Sequence, residues 1–146
     1  MRPIRSLILI AGAILALTAV APTASAATLH PLHLTKDCST FTGEIPSLCR
    51  IAVSNVKIIP VGTKIWYKGP VVSNAYFLSS NVVMDVGHAS TATGYCIFDT
   101  EAGASPGMCA FWRGKGTLAG FHAIIHVTID SKHLWHWDGS YYFATT

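Results

Sequence analysis

Charge is the scarcest thing in this chain: ten Lys and Arg and seven Asp and Glu among 146 residues. Arg113 and Lys115 are the nearest approach to a basic pair, and no basic run or stripe exists. A nucleic-acid partner is therefore excluded, because phosphate neutralisation needs clustered Lys and Arg. There is no Cys-x-x-Cys, no Cys-x-x-His and no His-Glu-x-x-His, so neither a zinc-ribbon spacing nor a helical metalloprotease motif is present. Gly103-Ala104-Ser105-Pro106-Gly107 has Gly-x-Ser-x-Gly spacing, but it falls in a turn-rich connection between two strand-like runs and not at a strand-to-helix junction, so it is not a hydrolase elbow. Beyond the first residues no window repeats its apolar positions every three to four residues, and that excludes a helical architecture.

What is present begins with a secretory address. "MRPIRSLILIAGAILALTAVAPTASAA" carries Arg2 and Arg5, an apolar run from Leu7 to about Val20, and "ASA" at Ala24–Ala26. A membrane anchor is the competing reading, but Gly12, Thr18 and Pro22 interrupt the run and a processing motif ends it. Residues 1–26 are expected to be a cleaved signal peptide, leaving a secreted or periplasmic protein with no stable membrane anchor. Loss of Arg2 and Arg5 lowers the formal net charge from +3 to +1.

Export places the four cysteines in an oxidising compartment, where an even number normally forms disulfides. Cys38 and Cys49 enclose the short "STFTGEIPSL", and Cys96 and Cys109 sit in two strand-like runs around "TEAGASPG". Of the three pairings available, Cys38 to Cys49 and Cys96 to Cys109 is the economical one. A zinc site is the weaker alternative, and no metal or cofactor is expected.

Val, Ile, Thr, Tyr, Phe and Trp recur in short runs divided by Gly, Pro, Asn and Ser, which predicts an all-β chain of about eight strands. The runs lie near 53–59, 62–68, 74–79, 82–86, 91–99, 108–113, 117–129 and 134–143. Residues 27–50 are expected to form an N-terminal extension holding the Cys38–Cys49 loop, and residues 51–146 the β domain. A bridge between Cys96 and Cys109 would also pair Ile97 with Met108 and Tyr95 with Ala110, placing Phe98 and Phe111 on the cysteine side. In "TLAGFHAIIHVTI" the residues Ala119, Phe121, Ala123, Ile125, Val127 and Ile129 share one face, expected to be core. Closing such a sheet into an antiparallel eight-stranded barrel removes its edges, with a two-layer sandwich as the alternative.

Three stretches, "DVGHASTATGYCIFDT", "WRGKGTLAGFHAIIHVTI" and "WHWDGSYYF", resemble the allene oxide cyclase barrel superfamily, which includes the dirigent proteins. The Gly87-His88 turn, the Gly94-Tyr95 strand and Gly114-x-Gly116-x-x-x-Gly120 carry the likeness, which runs from Gly62 to Phe143 and is nearest to small secreted bacterial members. The resemblance implies an antiparallel eight-stranded barrel with an apolar cavity, often homo-oligomeric through its outer wall. No acidic or tyrosine catalytic position of the plant enzymes aligns with a residue here, so their activity does not transfer.

The last strand, "WHWDGSYYF", has two faces: Trp135, Trp137, Tyr141 and Phe143 on one, His136, Asp138, Ser140 and Tyr142 on the other. A continuous strand is expected, with or without a bulge at Gly139, and an Asp-Gly turn within it is the alternative. The candidate ligand-contacting residues are Tyr95, Trp135, Trp137 and Tyr141, and the candidate polar groups are His88, His122, His136 and Asp138. His122 and His126 would stand roughly 13 Å apart along a strand, too far to share an ion unaided. The expected function is binding, or conformational guidance, of a small apolar molecule, cyclase-like if catalytic. A filled, non-catalytic structural barrel in the cell envelope is the alternative.

Overall fold

In the computed structural model, which describes residues 27–42, 44–69, 72–73, 77–99 and 107–144, antiparallel pairing runs in a closed circle. Nine strands are present among these residues: β1 (His30–Asp37), β2 (Ser47–Ser54), β3 (Lys64–Tyr67), β4 (Val72–Ser73), β5 (Phe77–Gly87), β6 (Ser90–Asp99), β7 (Gly107–Lys115), β8 (Phe121–Ile129) and β9 (Trp135–Phe143). The sheet order is β3-β2-β1-β9-β8-β7-β6-β5-β4, and a further β3–β5 pairing closes it. Strand β4 is a short flap on β5, so the wall itself is an eight-stranded antiparallel barrel. The only helical piece among the described residues is a 3₁₀ turn at Gly116–Leu118. Residues 1–26, expected to be a cleaved signal peptide, lie outside the described residues.

Closure depends on a segment that composition hides. Residues 30–37 and 47–54, expected to lie largely in an N-terminal extension, are two staves of the wall, and β1 lies between β2 and β9. "HPLHLTKD" buries Leu32, Leu34 and Lys36 on alternate positions, so the inward face includes a charged residue type and its period is masked. The run near 53–59 shifts for a different reason. A bulge in the β1–β2 pairing at Thr35/Lys36 turns Val53 outward, and the chain then leaves the sheet. The run near 82–86 and residues 77–79 of the run near 74–79 belong to the single strand β5, while residues 74–76 lie outside the described residues.

The hairpin β6–β7 has the expected register, with Cys96 opposite Cys109, Ile97 opposite Met108 and Tyr95 opposite Ala110. Both expected disulfides form, Cys38–Cys49 and Cys96–Cys109. They suit a non-cytoplasmic, oxidising compartment. In β8 the alternation holds for Phe121, Ala123, Ile125 and Val127, all buried, whereas Ala119 precedes the strand and Ile129 is exposed at its end. Strand β9 runs unbroken through Gly139, which stands opposite Ile125 in β8 and Leu32 in β1, so there is neither an Asp-Gly turn nor a bulge.

The turn from β5 to β6 is tight, and both of its central residues, His88 (φ 51°) and Ala89 (φ 57°), lie in the left-handed region. That is the backbone of a hairpin turn that favours Asn-Gly. Ala89→Gly is expected to raise stability by about 0.5–1 kcal/mol, read by urea unfolding. A loss of stability would mean that the turn carries no backbone strain.

Candidate functional site

The barrel interior is an aromatic and aliphatic plug over most of its length. Trp137, Phe111, Phe121, Leu32, Ile51, Ile65, Met84 and Ile125 are all essentially inaccessible. One end is different. There, Lys36 enters the interior from β1, because positions 32, 34 and 36 share a face, and it is only 2% exposed. Its Nζ donates a hydrogen bond to the Tyr67 hydroxyl at 2.5 Å. The amine is surrounded by rings: Nζ lies 4.5 Å from the Trp137 ring centre, 5.2 Å from Tyr67 and 5.3 Å from Trp135. When the amine is protonated, cation–π attraction offsets part of its desolvation.

Around Lys36 is a half-open, almost wholly apolar pocket. Phe41, Tyr67, Phe98, Trp135, Trp137 and both disulfides line it. It contains about 400 Å³ free of protein atoms out to its mouth, of which about 40 Å³ admits the centre of a water molecule. The inner part therefore holds roughly three waters or the end of a short molecule. The Cys38–Cys49 link fixes the loop after β1, and Phe41 of that loop packs edge-on against Tyr67 with ring centres 4.9 Å apart.

The electrostatics are one-sided. Among the described residues no carboxylate lines the pocket, and Tyr67 is the other titratable group there. Burial therefore pushes the Lys36 amine down to about 7 and holds the Tyr67 phenol well above its usual range. The Trp137 indole N–H is also buried and has no hydrogen-bond partner among the described residues. Lys36 and Tyr67 thus place a hydrogen-bonded amine and hydroxyl in a pocket whose described walls are otherwise apolar.

The expected site residues divide. Trp135 and Trp137 line the pocket. Tyr141 faces inward but further along the barrel, against Phe121 with ring centres 5.7 Å apart. Tyr95 stands on the outer wall at 41% exposed, because it alternates with Cys96, whose side chain takes the inward position. The polar candidates are all outside the pocket. His88 occupies the β5–β6 turn. His122 stacks on Tyr142 of β9 at 4.9 Å between ring centres.

His136 and Asp138 do not engage each other, and each takes a different partner. His136 Nε2 is 3.0 Å from Asp130 Oδ2, and Asp138 Oδ1 is 2.8 Å from His33 Nδ1. The His136 contact, followed by the Leu134 and Lys132 backbone N–H groups, holds the Asp130 carboxyl below its ordinary range. Among the described residues no group of three or more His, Cys, Asp or Glu is arranged to hold a metal ion.

Sequence reasoning missed Lys36, Tyr67 and Phe41. The signal for Lys36 was available: two residues beyond Leu34 and four beyond Leu32 on an extended chain, it shares their face. The fold and pocket define a closed antiparallel barrel with a buried amine at one end. Comparisons with protein-family models, with curated proteins and with solved structures found no match.

Proposed function

We propose that this chain is a secreted barrel of the allene oxide cyclase type that binds one small, mainly apolar molecule by its end, in the pocket around Lys36. The supporting observation is the pocket itself: an apolar, half-open cleft whose titratable polar groups are the hydrogen-bonded Lys36 amine and Tyr67 hydroxyl. Ligand sites commonly combine apolar walls with a small number of placed polar groups. The inner volume suits a short molecule or one end of a longer one, rather than a whole flexible chain folded inside the barrel. Binding is the primary reading for that reason, and cyclisation by conformational guidance is its catalytic extension.

Titration of the purified protein with toluene or cyclohexanol, followed by Trp fluorescence and native mass spectrometry, is expected to show saturable binding of one molecule per chain. Trp135 and Trp137 are the reporters. A flat titration, together with an organic extract free of any stoichiometric molecule, would overturn the reading. That result would favour a structural barrel, which the filled interior also supports. In that case Tyr95, Ile97, Met108 and Ile124, adjacent on the outer wall of β6–β8, would be the contact surface.

A further inference from the structure

We propose that Lys36 is a carbonyl-capturing group: the pocket takes the aldehyde end of a short aliphatic molecule and holds it as a reversible imine on Nζ. This inference deepens the binding reading above and rests on it. Three features of the geometry carry it. Among the described residues the amine is the only cationic side chain lining the pocket, and no carboxylate lines it to hold the amine as an ammonium. Its surroundings are rings and disulfides rather than water, which favours the neutral, nucleophilic form. The Tyr67 hydroxyl accepts from Nζ and keeps its own O–H to donate, which matches a carbonyl oxygen that only accepts.

The chemistry balances without an oxidant or reductant. The nitrogen lone pair of the neutral Lys36 amine attacks the carbonyl carbon, the carbon–oxygen π pair moves to oxygen, and that oxygen takes up the first of the two protons that nitrogen gives up. The carbinolamine then loses its hydroxyl group with one proton as water, nitrogen releases its remaining N–H proton, and the carbon–nitrogen double bond forms. Tyr67 is the positioning residue. Its phenol stays protonated and sits within hydrogen-bond distance of Nζ, beside the oxygen that must be protonated and expelled. Hydrolysis reverses every step and returns the aldehyde.

The test uses the full secreted chain with both disulfides intact, butanal as the probe, and cyanoborohydride at pH 7 to reduce any imine to a stable secondary amine. Peptide mapping is expected to place the adduct on Lys36, at a rate at least about tenfold above those of Lys57, Lys64, Lys68, Lys115 and Lys132. Lys36→Met is expected to lose that adduct and keep the slow background on the others. Tyr67→Phe is expected to slow capture while retaining toluene binding, which a merely structural Tyr67 would not do. Labelling of Lys36 no faster than the other lysines, while toluene still binds, would overturn the imine and leave the binding reading intact. Absence of both would overturn both. Saturable hexanoate binding with no reducible adduct would replace the carbonyl by a carboxylate and sink this proposal.

Discussion

Lys36→Met is expected to make the folded protein more stable at pH 7, by about 2 kcal/mol or more, although it removes a hydrogen bond. The amine titrates at about 7 in the fold against an ordinary value of 10.5. Between those values the unfolded chain binds a proton that the folded chain does not, so wild-type stability must rise with pH across the window. Each pH unit separating the two values corresponds to about 1.4 kcal/mol, so the full penalty below pH 7 is about 5 kcal/mol, of which about 3 kcal/mol is recovered between pH 7 and pH 10. Met fills similar space without that cost. Against this stand the cation–π contacts and the Tyr67 hydroxyl, which loses its Lys36 partner.

The difference between the two proteins reports on Lys36 alone only up to about pH 10. The raised phenol of Tyr67 makes the folded state resist deprotonation, and stability falls above the ordinary tyrosine value. Urea unfolding of both proteins from pH 7 to pH 10 is the measurement, because groups common to both cancel in the difference. The expected signature is an advantage of Lys36→Met that shrinks as pH rises. A constant difference, or a variant that is less stable at pH 7, would show that Lys36 is solvated or paired in a way the barrel does not display.

Gly139→Ala is expected to cost about 3 kcal/mol or more, for a reason unrelated to charge. A Cβ at that position would lie 2.0 Å from the Ile124 carbonyl oxygen and 2.9 Å from Ile125 Cα, both backbone atoms of the adjacent stave. Neither can retreat without breaking the β8–β9 ladder, which pairs Phe121 through Ile129 with Phe143 through Trp135. Urea unfolding with the disulfides intact is again the assay. A loss under about 1 kcal/mol would mean that β8 and β9 separate at little cost, contrary to the close approach at Gly139.

These two substitutions fall on opposite sides of what the residues reveal before folding. Gly139 sits in "WHWDGSYYF", whose alternation survives the glycine and already marks a continuous strand. Its close approach to β8, however, depends on which strand lies beside it. Lys36 is legible as a position, sharing a face with Leu32 and Leu34, yet not as a buried group. A lysine is rarely buried without a charged partner, so the residue type by itself points that position toward solvent. Tyr95 shows the same limit from the other direction: alternation separates it from Cys96 and Phe98, but does not say which of the two sets faces inward.

Local periodicity and the cysteine spacing determined the all-β character, the β6–β7 register, both disulfides and the two-faced last strand. Each of these follows from interactions between residues near in sequence, or from one covalent bridge. Only the tertiary structure decided the closure by β1 and β2, the inward sense of the staves other than β8 and the gathering of Lys36, Tyr67, Trp135 and Trp137 at one end. Those depend on pairings such as Leu34 with Trp137, made by residues that nothing in the chain's local pattern connects. A barrel has an inside only once its first and last strands meet, and the same closure strips water from the lysine.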